Sequence, residues 1–236
     1  MPISDNPFFY NPALFALVNH ARLNLVDVRV RFNQAFFDQL KFYLNHKTKL
    51  DNADTLSATQ QNQLYSDALR EAQKLANVIL DGPLPVNYVS RNFGLGFFSQ
   101  ANLKYEIFAG AAGLPLLNVA LQADAVFMVA YANALAGLLP HPVAFGITGK
   151  YLIRGQTQKT KTLSGLSSDE EFEVYNARAF SVDLGLLYPL KRNLHLAMAF
   201  YDLNSPSLNW QVNVSHPTTL APPNQIKRSM RMGLAY

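Results

Sequence analysis

Apolar and polar residues alternate along much of the chain, and the clearest example is the stretch Arg178–Tyr201. In its first arm every second residue from Phe180 to Tyr188 is apolar. The first three residues between them, Ser181, Asp183 and Gly185, are small or polar. The run Pro189–Asn193 interrupts this arm, after which a second arm alternates again. Because neighbouring side chains of a strand point to opposite faces, the stretch predicts a β-hairpin with one apolar face and one small, polar face.

The same period of two recurs from Phe93 to the end of the chain and marks an earlier strand at Arg22–Phe32. Turn residues divide these runs into roughly eight strands, several longer than the ~9–11 residues that cross a bilayer when tilted. Residues 155–173, GQTQKTKTLSGLSSDEEFE, show no apolar periodicity and are expected to form a polar loop. The apolar run around Asp124 is interpreted as a strand, since a helix would place that carboxylate in mid-membrane at a cost of ~2.5–3.5 kcal/mol.

Helical spacing appears in two places near the N-terminus. Residues 13–17, which follow the dipeptide Asn11-Pro12, are expected to form one helical turn. Residues 34–80 predict a two-helix insertion, with one helix at Gln34–His46, a polar link, and a second helix that ends at Gly82-Pro83. Ser57 and Gln60 have the spacing of a capping box at the start of the second helix. We expect this insertion to form a cap, or a plug folded into the lumen of a barrel.

The composition narrows the class of protein. Only 15% of the 236 residues are charged, against a usual ~25%, while 49% are hydrophobic. A membrane barrel with alternating lipid-facing and lumen-facing residues has this balance, and a soluble sandwich rich in Tyr and Phe has it too. The net charge of +4 comes from scattered basic residues, which argues against nucleic acid as a partner. No Cys is present, and the first residues lack the pattern of a secretory leader.

Motifs for catalysis, cofactors and metals are not recognised in the sequence. The five His residues lack metal-ligand spacing, and no G-x-S-x-G elbow occurs. We therefore predict no catalytic residues, no cofactor and no metal. His195 and Asp183 fall on the same face of the hairpin and are expected to form a hydrogen bond. Alternation places eight polar residues on the side facing a lumen, and they are Lys104, Glu106, Asp124, Lys150, Arg154, Asp183, His195 and Arg231.

Several motifs resemble the FadL/PorV/TraF-like group of bacterial outer-membrane β-barrels. They are FYNPALFAL near the N-terminus, the strand GITGKYL, the hairpin SVDLGLLYPL–LHLAMAFYDLN and the closing segment PPNQIKRSMRMGLAY. The resemblance implies a leader and a glycine-rich segment before the NPA motif, and further strands after the last. We therefore expect a partial or reduced member of this group, or one piece of a barrel made of several chains. Passage of hydrophobic substrates is what the resemblance implies about function.

These observations define three hypotheses. The first is an all-β, antiparallel, up-and-down transmembrane barrel of roughly eight or more strands, formed by residues 1–236 as a single domain in the bacterial outer membrane. It would pass a hydrophobic or small solute or anchor surface machinery, with membrane lipid, hydrophobic molecules or other outer-membrane proteins as partners. The alternative is a soluble, non-enzymatic β-sandwich or barrel that binds a protein. An enzyme ranks third and would require an ordered Asp/His/Ser cluster in a cleft.

Overall fold

The computed structural model describes residues 7–25, 29–52, 55–71, 76–81, 86–109, 115–137, 140–162, 173–191, 194–213 and 222–235. Within these ranges the chain forms one antiparallel sheet of eleven strands and four helical elements. The strands are β1 Arg22–Leu25, β2 Arg29–Phe32, β3 Ala76–Asp81, β4 Val86–Ser90, β5 Phe93–Ala109, β6 Pro115–Leu135, β7 Val143–Thr162, β8 Val174–Lys191, β9 Leu194–Tyr201, β10 Gln211–Val212 and β11 Ser229–Ala235.

The strand order follows the chain closely. The main path runs β1-β4-β5-β6-β7-β8-β9-β11. Three strands lie off this path: β3 pairs with the C-terminal half of β5, β2 pairs with β3, and β10 pairs with β8. The central strands are long, so that β6 and β7 stay in register from the pair Leu135–Val143 to the pair Leu116–Thr162. The all-β, antiparallel class and the hairpin β8–β9 are therefore confirmed, while over the described residues the path has two open ends, at β1 and β11.

Four helical elements accompany the sheet. Two short 3-10 helices, Pro7–Phe9 and Pro12–Leu17, precede β1 and confirm the helical turn expected after Asn11. Two α-helices follow β2, namely α1 at Gln34–Asp51 and α2 at Ala58–Glu71. The capping box is confirmed, because the Ser57 backbone N–H donates to Gln60 Oε1 (3.2 Å) and the Gln60 N–H donates to Ser57 Oγ (3.4 Å). Among the described helices, none has the length and apolar character to cross a membrane.

The two faces of the sheet differ in chemistry, and the register shows this directly. Phe97, Phe127, Tyr151 and Phe180 are paired in one row across β5–β8, so they share a face, which we call the aromatic face. The other face, which we call the small-residue face, carries mostly glycine, alanine and polar side chains, with a few large apolar ones such as Phe98 and Leu152 that the overlying chain buries. All eight polar residues predicted for a lumen lie on the small-residue face, as the pairs Asp124–Arg154 and Lys150–Ser181 illustrate.

The helices pack against the aromatic face. Phe42, Leu50, Leu64 and Ala68 form a buried cluster with the paired strand residues Ile107 and Leu117. This position lies near the end of the β5–β6 hairpin. It differs from the expected plug in a lumen, because the predicted lumen residues lie on the opposite face of the sheet.

Three predicted boundaries were wrong. Residues 76–80 belong to β3 rather than to the second helix, because Val78 and Ile79 pair with β5 and favour a strand once that partner is present. The helix α1 continues to Asp51, through part of the predicted polar link. The predicted loop at 155–173 is a strand as far as Thr162, where β6 supplies the pairing that the polar residues do not signal.

The predicted strand Arg22–Phe32 is confirmed over β1 and β2, and residues 26–28 between them lie outside the described residues. These two strands pair with different partners, β4 and β3. The predicted turn Gly110–Gly113 lies outside the described residues.

Candidate functional site: two segments on the small-residue face

Glycine and alanine line the part of the small-residue face that the N-terminal segment, residues 7–18, crosses. Gly146 and Gly185 are paired across β7 and β8, and a Cβ atom on either would overlap the backbone of Pro12 or the side chain of Asn11. The lack of side chains therefore lets the segment lie directly on the sheet. The other small residues of this region, most of them buried, are Gly94, Gly96, Ala130, Ala132, Ala144 and Ala199.

Asn11 fixes the N-terminal segment to the sheet. Its Nδ2 donates to the carbonyl oxygens of Leu186 and Met198, each at 3.1 Å, and these two residues are paired across β8 and β9. Its Oδ1 accepts from the Ala13 N–H at 2.9 Å, which caps the 3-10 helix Pro12–Leu17. One buried amide thus joins the segment to two strands and also starts its helical turn.

Aromatic packing holds the rest of the N-terminal segment. The Phe8 ring meets Phe15 edge-on with centroids 4.9 Å apart, and meets Phe98 of β5 at 5.4 Å. Phe8 and Phe15 are fully buried, and a Cβ atom at Gly94 would collide with both rings. The Phe15 carbonyl also accepts from the Asn92 N–H at 3.0 Å. The sequence indicated the turn but not this docking surface, for which the cluster of glycines on one face was the available signal.

A second segment, residues 202–213, covers the middle of the same face. It leaves the sheet after β9 at Asp202, whose φ of +54° lies in the left-handed region, and returns as β10 beside β8. Between these points Leu208 is buried against Leu152 and Ala179 of the small-residue face. The face is therefore covered by two different parts of the chain.

Lys150 lies between the rows of the sheet that the two segments cover. Its Nζ is 2.7 Å from Asp183 Oδ1 and 2.6 Å from Asp202 Oδ1. Ser181 Oγ donates to Asp202 Oδ1 at 2.7 Å, and the Asp202 N–H donates to Asp183 Oδ1 at 2.9 Å. One ammonium group thus serves two carboxylates, and every one of these polar groups has a charged or hydrogen-bonding partner, as buried charges require.

Thr148 adds an unsatisfied hydroxyl beside this cluster. It is paired with Asp183 across β7 and β8 and is completely buried. Its Oγ1 has no hydrogen-bond partner within the described part of the chain. The cluster is therefore a buried polar site that contains one hydroxyl without a partner.

Asp124 and Arg154 form a second ion pair further along the face. Arg154 Nε donates to Asp124 Oδ1 at 2.7 Å and its Nη2 donates to Oδ2 at 2.8 Å, which is the bidentate geometry of a strong pair. Gln122 Nε2 donates to the same carboxylate at 2.9 Å. Beyond this pair, Lys104 and Glu106 are exposed on the small-residue face.

The remaining predicted lumen residues lie at the other end and at the edge. Arg231 lies with its guanidinium carbon 5.2 Å from the centre of the Tyr201 ring, a cation–π contact. His195 is paired with Pro189 near the end of the β8–β9 hairpin. The expected hydrogen bond between His195 and Asp183 is wrong, because Asp183 lies six residues before Pro189 along the same strand and binds Lys150 instead. Among the described residues His195 Nδ1 has no hydrogen-bond partner.

The aromatic face is exposed over most of its length. Phe180 is 57% exposed, whereas Asp183, three residues further along β8 and on the other face, is 1% exposed. Other exposed members are Phe93, Leu95, Phe127, Val129, Tyr131, Phe145, Ile147, Tyr151 and Leu186. The molecule thus presents a contiguous apolar surface outward. A surface of this kind marks a site of contact with another protein or with a membrane.

Within the described ranges no group of His, Asp and Glu residues is arranged to hold a metal ion. The Ser181 hydroxyl is engaged by a carboxylate that Lys150 already binds. No family model, curated protein or solved structure matches the chain.

Proposed function

We propose that this protein is a bacterial outer-membrane β-barrel, or a part of one, that passes a hydrophobic or small solute and carries an internal plug. The observation that supports the proposal best is the burial pattern of β8, which is the opposite of that in a water-soluble domain. Phe180 is largely exposed, while Asp183 and Ser181 are buried. An exposed apolar belt is the surface that lipid requires, and the opposite face of such a barrel is polar.

The N-terminal segment and residues 202–213 serve as the plug in this proposal. Both lie on the small-residue face and are held by Asn11 and Asp202. The polar stretch around Asp124 and Arg154, with the exposed Lys104 and Glu106, forms the hydrated mouth. A charged mouth next to a plug is suited to control of passage rather than to chemical conversion.

Barrel closure is a further requirement of the proposal. Backbone groups in lipid need partners, so the outer sides of β1 and β11 must pair with additional strands, with each other or with a second copy. The anchoring of surface machinery is the other role that such a barrel would perform. The soluble alternative instead requires that a partner protein cover the aromatic face.

Detergent dependence tests the membrane assignment. The outer-membrane fraction is extracted, and the purified protein is examined by size-exclusion chromatography with and without dodecyl maltoside. We expect a monodisperse species only with detergent, because the aromatic face would otherwise self-associate. A monodisperse monomer with a cooperative thermal transition in plain buffer would overturn the proposal in favour of the soluble alternative.

Proteoliposome flux tests the passage of solutes. Vesicles that contain the wild-type protein, Asn11→Asp or the matched control Asn45→Asp are compared for uptake of oleate and for swelling in arabinose. The Asn11→Asp variant should loosen the plug and raise the rate for one of the two solutes, whereas Asn45→Asp, on the exposed side of α1, should behave as wild type. Equal rates in all three proteins and in empty vesicles would exclude passage and leave anchoring.

A further inference from the structure

The helix α1 has two apolar sides, and only one of them is packed. Phe42 and Leu50 are buried against α2 and the sheet, and Ala35 is buried as well. At a different angle around the helix, Phe37, Leu40 and Leu44 have the spacing of a single stripe, and Leu44 is 63% exposed. Within the described residues the first side is therefore packed, and the stripe faces outward.

The stripe is continuous with the aromatic face of the sheet. Tyr105 of β5 contacts the Phe36 ring at 6.1 Å between centroids, and its hydroxyl donates to the Phe36 carbonyl at 3.2 Å. Phe36 in turn meets Phe37 at 5.5 Å and stacks on Phe32 of β2 at 5.6 Å. An unbroken series of aromatic contacts therefore leads from the sheet to the exposed side of α1.

The position of α1 is at a margin of the aromatic face. The helices cover the pair Ile107–Leu117 near the end of the β5–β6 hairpin, while Leu95 and Phe127, further along the same strands, are exposed. In a membrane barrel the margin of the apolar belt is where hydrocarbon meets lipid headgroups. A helix at this level would lie along the membrane surface.

Two lysines complete the pattern expected of an interfacial helix. Lys41 lies four residues after Phe37 and three before Leu44, and Lys47 lies three residues after Leu44, so both flank the stripe. Both are exposed. A lysine can lay its alkyl chain along an apolar surface and extend its ammonium group to a phosphate.

We propose that α1 is a membrane-interface helix, with Phe37, Leu40 and Leu44 at the boundary of the acyl chains and with Lys41 and Lys47 at the phosphates of the lipid headgroups. This assignment rests on the proposed membrane barrel. It gives the helical insertion a role of its own, namely to set the depth of the barrel in the bilayer and to cover the end of the β5–β6 hairpin from the lipid side.

Spin labelling tests this assignment cleanly, because the chain contains no Cys. Single variants Leu44→Cys, Asn45→Cys and Phe127→Cys carry a nitroxide and are reconstituted in vesicles of phosphatidylethanolamine and phosphatidylglycerol. Power saturation compares the collision of each label with oxygen, which concentrates in the acyl region, and with a water-soluble nickel chelate. Asn45 is the matched control, as an exposed neighbour on α1 that points away from the stripe.

We expect the label at position 44 to show an oxygen-to-nickel ratio several-fold above that at position 45, and the label at position 127 to show the highest ratio. If positions 44 and 45 are equally accessible to nickel while position 127 is in lipid, the interfacial helix is wrong and the barrel stands. Shielding of position 44 from both reagents would also overturn it, since a protein would then cover the stripe. If position 127 is accessible to nickel, the barrel itself fails, and the helix assignment fails with it.

Discussion

Gly146 and Gly185 lie directly opposite each other on β7 and β8, and Asn11 and Pro12 rest on the surface that these two glycines leave open. The contact places backbone against backbone in the middle of a sheet face. It explains why a twelve-residue segment with two 3-10 helices can lie directly on the five strands β5 to β9, and it makes the docking sensitive to a single methyl group.

Addition of a Cβ atom at Gly146 should displace the N-terminal segment. For Gly146→Ala we expect a loss of about 1–3 kcal/mol in the free energy of unfolding, since overpacking of a tight contact costs that much. Urea unfolding in lipid vesicles, followed by circular dichroism, measures the change. The matched control is Gly149→Ala in the same strand, where the new methyl group would meet its nearest neighbour at 3.7 Å. Equal losses in the two variants would contradict the docking.

Reversal of the hydrogen-bonding sense of Asn11 should release the N-terminal segment. Asn11→Asp is nearly isosteric but replaces an N–H donor by an oxygen that faces the carbonyls of Leu186 and Met198. We expect a cost of about 3 kcal/mol or more, because a buried charged group would be left unsatisfied. Limited proteolysis of the folded protein should then cut near residues 7–18. A protease pattern identical to that of the wild type would show that the amide is not what holds the segment.

Removal of the ammonium group from the buried cluster should be strongly destabilising. Lys150→Met leaves Asp183 and Asp202 without their cation, and the loss should be about 3–5 kcal/mol. The double variant Lys150→Met/Asp183→Asn should recover part of this loss, since one uncompensated charge is gone. The comparison is Arg70→Met, which removes the exposed partner of Asp67 and should cost less than about 1 kcal/mol. Additive effects of the two cluster substitutions would contradict the coupling.

A charge on the aromatic face should be costly only if that face meets lipid. For Phe127→Lys in vesicles we expect a loss of about 2–4 kcal/mol, the range for a lysine at the middle of a bilayer. Gln158 is exposed on the small-residue face and donates a hydrogen bond to Asn118. Gln158→Lys should therefore lower the free energy of unfolding by no more than about 1 kcal/mol, the usual contribution of one hydrogen bond. If Phe127→Lys is neutral or makes the protein more soluble without detergent, the aromatic face is not a lipid surface.

The sequence by itself determined the long strands that alternate clearly, such as the hairpin β8–β9, together with their two-sided character and the face on which each of their side chains lies. Period two is a local property, so the position of Asp183 on the small-residue face and of Phe180 on the aromatic face follows from their separation along the chain alone. The capping box at Ser57 and Gln60 and the turn after Asn11 were equally local, and both were predicted.

Only the tertiary structure decided what covers each face. Residues 76–80 continue a helical apolar spacing but form a strand, because they pair with β5. Residues 155–162 have no apolar periodicity and form a strand because they pair with β6. The choice of Asp202 over His195 as the neighbour of Asp183 depended on where the chain turns after β9, which no local pattern encodes. The docking of Asn11 and Pro12 on paired glycines arises from positions more than 130 residues apart in sequence, and long-range contacts of this kind exist only once the sheet has formed.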